Sequence, residues 1–219
     1  YASKMAARGS LYSFKLNLVK DHLTKKSNLL DLGCGNGQFA IPLAKDASRI
    51  VAVDFSPRMV EELIKRVKGS GIKNIKYRCA DFLEVKLKPR SFDIAISFST
   101  LYYVKELSQL FAHVNRWLKP GGIFIFDVAN KFSLGAFYYS HRYKIYQNFL
   151  DIPSFRTELG KYGFVMEKEY CFELIPRFRA IQKLLDLKVG KNTLDFFLSN
   201  IPIFKSFAFR YLFVCKKVS

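Results

Sequence analysis

Apolar side chains recur at two different periods along this chain. Over residues 10–26, Leu11, Phe14, Leu18, Val19 and Leu23 fall near helical spacing with Lys20, Lys25 and Lys26 turned to solvent, which predicts an N-terminal helix. Short apolar runs follow: "NLLDLG" (28–33), "RIVAVDF" (49–55), "IKYRCADF" (75–82), "FDIAISFS" (92–99) and "IFIFDV" (123–128) read as strands. Between them lie helical stripes, "GQFAIPLAKDA", "SPRMVEELIKRVKGSG" and "VKELSQLFAHVNRWL" (104–118). The second of these carries Ser56 as N-cap, Pro57 in its first turn and Gly69 or Gly71 to close it. Strands that alternate with helices and are apolar throughout predict a parallel sheet covered on both faces, a doubly wound α/β fold.

Past residue 130 the pattern changes. "KFSLGAFYYSHRYKIYQNFLDI" is rich in Tyr and Phe without a strand period and reads as a partly helical insertion. "PSFRTELGKYGF" predicts a helix as far as Gly160, and "FVMEKEYCFELI" (164–175) a strand. "IPRFRAIQKLLDLK" then predicts a helix, and "TLDFFLSNIPIF" a short helix ended by Pro202. "SFAFRYLFVCKK" predicts a last strand with Phe207, Phe209, Tyr211 and Phe213 on one face. There is no internal repeat and no low-complexity linker. The expectation is one domain over residues 1–219, with a core at 28–130, an N-terminal helix or lid at 1–27, and cap or insertion segments at 131–155 and 176–205.

Composition fits a packed globular protein: of 219 residues, half are hydrophobic and 16% aromatic. The four cysteines lie far apart with no CxxC pair, so neither a disulfide framework nor a zinc site is expected, and a reducing cytoplasm is the simplest setting. The first residues lack the apolar stretch of a secretory leader. The most apolar region, 193–215, is interrupted by Asp195, Pro202, Lys205 and Arg210 and is no membrane span. Charge adds more, because 36 basic against 18 acidic residues leave a formal +18. The excess is densest outside the middle of the chain, with six basic residues against one acidic over 1–27 and 15 against seven over 131–219. Such a balance favours an anionic partner: a nucleotide-linked or phosphorylated substrate, nucleic acid, or an anionic membrane surface.

The candidate chemistry begins at "LLDLGCGNGQFA" (29–40). A strand that ends in bare backbone and opens onto a helix N-terminus brings a nucleotide close to the main chain. A dinucleotide site uses G-x-G-x-x-G to seat a pyrophosphate. Here Gly33, Gly35 and Gly37 leave Gln38 where the third glycine would stand. Asp31 would repel a pyrophosphate by on the order of a kcal/mol at close range. A cationic ligand reverses that sign, and S-adenosylmethionine offers an ammonium and a sulfonium with no phosphate. Asp54, 17 residues past Gly37, stands where an acidic side chain accepts hydrogen bonds from ribose hydroxyls. Asp81 is placed to accept from an adenine amine, with Phe82 or Phe55 for stacking.

"DLGCGNG", "VAVDFSPRMV", "CADF", "FDIAISFSTLYYV" and "LKPGG" together resemble, in order and spacing, the class I S-adenosylmethionine-dependent methyltransferases of small-molecule type. The resemblance covers residues 28–128. It implies a Rossmann-like seven-stranded sheet of order 3-2-1-4-5-7-6 with the last strand antiparallel, helical insertions after strand 5 and between strands 6 and 7, and S-adenosyl-L-methionine as cofactor. It implies that Asp31, Gly33, Cys34, Gly35 and Gly37 hold the methionine moiety, Asp54 the ribose, and Asp81 and Phe82 the adenine. Ser97, Ser99 and the residues up to Leu101 would then lie beside the methyl donor. Two departures stand out. The fourth strand continues as "SFSTLYYV" without the Asn/Asp-Pro-Pro-aromatic tetrad of enzymes that methylate adenine in nucleic acid, and similar small-molecule enzymes often carry His near Tyr102 and Tyr103.

His141, inside "FYYSHRYKIYQNF", falls where this family builds its acceptor pocket and is the one candidate base. The Tyr and Phe residues at 137–149 suit an apolar acceptor pocket or the packing of a cap, and Arg142 and Lys144 suit an acceptor phosphate. The expected activity is methyl transfer to an O, N or C nucleophile of a small or lipid-like, anionic acceptor, with no metal and no transmembrane segment. The alternatives are RNA modification and a peripheral membrane protein with a vestigial cofactor site.

Overall fold

The computed structural model describes residues 2–142, 146–174, 182–190 and 192–218. Among the described residues the strands are β1 (Asn28–Leu32), β2 (Arg49–Asp54), β3 (Ile75–Cys79), β4 (Phe92–Ser97), β5 (Leu118–Asn130), β6 (Phe149–Leu150), β7 (Phe164–Phe172), β8 (Lys188–Val189), β9 (Asn192–Thr193) and β10 (Arg210–Lys217). The main sheet has the order β3-β2-β1-β4-β5-β10-β7, with β6 pairing beside β5. Counted without the three two-residue strands, this is the expected 3-2-1-4-5-7-6. The first five strands run parallel, and β10 is antiparallel to both its neighbours, as anticipated.

The alternation of neighbouring residues splits the core into two layers. Leu30, Val51, Ala95, Phe124 and Phe213 face one way and gather Phe111, Val114 and Trp117 from α4 (Leu107–Trp117), with Phe155 and Leu159 from a later helix (Ile152–Leu159). Leu29, Ile50, Ile94, Ile125 and Leu212 face the other way, against Leu18 and Val19 of α1 (Ala2–Lys20), Leu43 of α2 (Ala40–Leu43) and Leu63 of α3 (Pro57–Ser70). Strands buried on both faces have no polar alternation to show, which is why they read as continuous apolar runs. The capping expected for α3 is present: Ser56 Oγ accepts from the Met59 N–H and Gly71 closes the helix in the left-handed region.

Several boundaries differ from expectation. α1 stops at Lys20, so Leu23, Lys25 and Lys26 lie beyond it. The stripe after "GNG" forms only α2 and a 3-10 turn (Ala44–Asp46), because the three left-handed glycines postpone the helix start to Ala40. "LKPGG" lies within the first residues of β5, where the register against β4 shifts, so the fifth strand starts ahead of "IFIFDV". Pro202 opens a helix (Pro202–Lys205), since a first-turn proline needs no N–H partner, and Phe207 lies outside β10 and exposed, away from buried Tyr211 and Phe213. The first half of the helix expected over "IPRFRAIQKLLDLK", residues 175–181, lies outside the described residues, and the second half is helical only at Gln182–Leu185.

Candidate cofactor site and its charged neighbour

The glycine loop is built by backbone anchors. The N–H groups of Gly33 and Cys34 both donate to the Val53 carbonyl at 2.8 and 3.1 Å, tying the end of β1 to the end of β2. Gly33 (φ +71°) is pressed against the loop after β4: a Cβ there would lie 2.2 Å from Thr100 Oγ1, so no side chain fits. Gly35 differs, because a Cβ on it would meet nothing within 4 Å, and its bare backbone faces open space. It donates its N–H to Asp54 Oδ2 at 2.8 Å, while Asp54 Oδ1 accepts from Ser56 N–H at 3.0 Å. Both Asp54 oxygens keep lone pairs for further donors.

Asp31 is buried among apolar neighbours, and its Oδ2 has no hydrogen-bond partner. Burial, and then the nearby Asp54 carboxylate, push its pKa up to about 7, with the Ala40 N–H pulling the other way. An orphaned carboxylate oxygen beside bare glycine backbone suits a group carrying a positive charge and hydrogen-bond donors, as the methionine end of S-adenosylmethionine does. Burial drives the Cys34 thiol far above its usual range, so Cys34 offers backbone and not thiolate chemistry.

The remaining expected residues divide. Phe55 follows β2 and is 70% exposed, an aromatic face free for a ligand, whereas Phe82 is buried in the core layer with Leu30 and Val53. Asp81 is exposed, its Oδ1 accepting from Leu83 N–H at 2.8 Å. Ser97 is fully buried and donates to the Leu32 carbonyl at 3.0 Å, holding β4 to β1 beneath the loop. Ser99 adopts φ +57° and sends its N–H to Asp127 Oδ1 at 2.6 Å. His141 stands exposed on α5 (Leu134–Arg142), its described contacts being the Phe137 carbonyl at 2.7 Å, Ser140 Oγ at 3.2 Å and the Phe137 ring. The structure brings Asp31, Gly33, Cys34, Gly35 and Asp54 together, and no described contact joins His141 to them. The Arg142 side chain and Lys144 lie outside the described residues.

Beside the loop lies a charged group that the sequence reading missed. Asp127 of β5, buried, pairs with Lys15 of α1 and with Arg210 of β10, whose Nη1 is 3.4 Å from Asp127 Oδ2 and whose Nε is 3.0 Å from Glu173. Arg210 also donates to Ser99 Oγ at 2.9 Å and lies over the Tyr102 ring, 5.3 Å from its centroid. Burial alone would raise the Asp127 carboxyl; Lys15 and Arg210 hold it below the usual range, so the carboxylate is charged. Burial pulls Lys15 down and Asp127 pulls it back, and for this coupled pair the ionised form is the direction the geometry supports. Asp127 interrupts the apolar run "IFIFDV", which marks an unusual position for a carboxylate, but nothing along the chain points to Lys15 or Arg210 as its partners.

Residues 30–126 match a family described as "Methyltransferase domain". Among curated proteins, the chain is 39% identical over 105 residues to phosphoethanolamine N-methyltransferase 1 of Triticum aestivum, which covers 44% of this chain and 20% of that protein. It is 26% identical over 131 residues to the ubiquinone biosynthesis O-methyltransferase of Coxiella burnetii, covering 59% of this chain and 56% of the relative. The chain thus spans about a fifth and about half of the lengths of these relatives. Among solved structures, an S-adenosylmethionine-dependent methyltransferase from Mesorhizobium loti superposes with a TM-score of 0.71 at 20% identity, over 96% of this chain and all of that one. Residues 30–126 therefore match a methyltransferase domain, and the sheet around them has the order implied by the class I, S-adenosylmethionine-dependent kind that the opening loop resembles.

Proposed function

We propose that this chain transfers the methyl group of S-adenosylmethionine to a nucleophile of a small, phosphorylated or lipid-like acceptor. The observation that carries the reading is Asp31, a buried carboxylate with an orphaned oxygen beside the open backbone of Gly35. The cofactor supplies an electrophilic methyl group on a sulfonium. Asp31 stands opposite the ammonium of the methionine end, which the main chain of Gly33, Cys34, Gly35 and Gly37 holds. Asp54 accepts from the ribose hydroxyls, Phe55 offers its exposed face to the adenine, and Asp81 accepts from the adenine amine. The strip from Ser97 to Leu101 lines the methyl-donor side, with Ser97 fixing its backbone and Ser99 held by Asp127 and Arg210. Displacement at the methyl carbon is in line, so these residues chiefly orient the reactants and exclude water. Relatives named for phosphoethanolamine and for ubiquinone biosynthesis support an acceptor of this range, and +18 net charge favours an anionic one.

The test is calorimetric titration with S-adenosylmethionine, S-adenosylhomocysteine and NAD, with Asp54→Ala alongside. Binding of both sulfur nucleosides, weakened at least about tenfold by Asp54→Ala, supports the reading, since a buried charged acceptor of ligand hydroxyls contributes about 1.5–3 kcal/mol. Binding of NAD alone, or of none, overturns it. Once an acceptor is found, full turnover by His141→Ala would remove His141 as the base.

A further inference from the structure

We infer that the face formed by α5 and by residues 202–207 docks on an anionic lipid bilayer. Among the described residues, Phe132, Leu134, Phe137, Ile203, Phe204 and Phe207 are between 40% and 73% exposed. These six sit on two segments locked side by side. Asn130 accepts from the Phe132 N–H at 3.1 Å through Oδ1 and donates through Nδ2 to the carbonyls of Ser206 at 2.8 Å and Ala208 at 3.0 Å. A Cβ on Gly135 would lie 2.4 Å from Phe209, so α5 and the segment before β10 are in direct contact. The apolar side chains therefore form one fixed patch, and its far side meets the Tyr139, Phe149 and Phe209 cluster and the Tyr102 ring packed with it.

Charge selects the occupant. A second copy would bring another molecule of net charge +18 against this one, which opposes association. The negative surface potential of an anionic leaflet attracts the same charge, and residues 131–219 carry 15 basic side chains against seven acidic. Exposed Lys131 lies at the patch, its Nζ 5.7 Å from the Phe132 ring centroid. RNA would be met by bases stacking on aromatic faces and by phosphates on cations, to which the tips of Leu134 and Ile203 contribute nothing. Aliphatic and aromatic tips with a lysine beside them, on a strongly basic chain, instead match the boundary between headgroup and acyl chain. Among the described residues no helix is long and apolar enough to cross a membrane, so the contact is peripheral.

The test is flotation of the full chain with phosphatidylcholine vesicles, with and without phosphatidylglycerol, at low and high salt. Comigration with the anionic vesicles only, reduced by salt, is expected. Phe137→Glu and Ile203→Glu, both at exposed sites, are each expected to weaken it by about tenfold or more while keeping the wild-type thermal midpoint. Phe137→Trp, which leaves the patch apolar, is expected to show a blue-shifted indole emission on anionic vesicles. No comigration of the wild-type chain, equal comigration with neutral vesicles, or comigration that neither glutamate variant reduces overturns the inference. So does a lipid-free dimer that the glutamate variants dissolve, which would assign the patch to a second copy. The readout is independent of the cofactor, so failure of the methyltransferase reading leaves this result intact.

Discussion

At the scale of single residues, Asp31 does two things that oppose each other. Its folded carboxyl titrates near 7 while an unfolded aspartate titrates near 3.8, so over that interval the native state holds a proton that the unfolded chain has lost. The unfolded state binds fewer protons there, so this group's contribution to stability falls as pH rises from about 4 to about 7 and then levels. A cationic ligand favours the carboxylate and expels the proton. S-adenosylmethionine affinity is therefore expected to rise with pH up to about 7, with proton release measurable by calorimetry in buffers of different ionisation enthalpy. Asp31→Asn is expected to flatten that dependence, weaken binding, and raise the thermal midpoint above pH 7 because no buried charge remains to be desolvated. A midpoint that falls instead would mean that the carboxylate already has a partner in the free protein.

At the scale of elements, α1 is fastened across the sheet by the Lys15–Asp127 pair and by the Tyr12 hydroxyl, which donates to the Gln38 carbonyl at 3.1 Å. The helix thus reaches both the end of the glycine loop and the end of β5. Removing Asp127 leaves buried Lys15 without its ion-pair partner and half-buried Arg210 with Glu173 alone, whereas removing Lys15 leaves Asp127 with Arg210 and the Ser99 N–H. Asp127→Ala is expected to cost about 3–5 kcal/mol in chemical denaturation, and Lys15→Met clearly less. In hydrogen exchange, Lys15→Met is expected to release α1 amides ahead of the sheet. Equal costs for the two variants would count against a shared carboxylate as the centre of the cluster.

At the scale of the whole molecule, +18 makes self-repulsion a standing opponent of the compact state. The screening length shortens to about 8 Å at physiological ionic strength, while buried pairs are screened far less. The thermal midpoint is accordingly expected to rise as salt is added from low ionic strength. A steady fall would show that half-buried attractive pairs such as Lys119–Asp93, 2.7 Å apart, outweigh the general repulsion.

The order of strands in the sheet came only with the family resemblance, while the positions of the first five strands, the glycine loop and the carboxylates at the strand ends were legible along the chain. These are local matters: a strand buried on both faces must be apolar throughout, a backbone at φ +71° against Thr100 must be glycine, and Ser56-Pro57 can only open a helix efficiently. The opposing character of Phe55 and Phe82 was not legible, because both follow strand ends in similar words, "VDF" and "ADF", and only packing turned one into the core and the other to solvent. The Lys15–Asp127–Arg210 cluster was beyond reach for the same reason: its members are 112 and 83 positions apart, and no period along the chain relates them. Pairing of distant charges and the joining of α5 to residues 202–207 by Asn130 are decided by which strands become neighbours. That is a property of the assembled sheet, which no local stretch of chain carries.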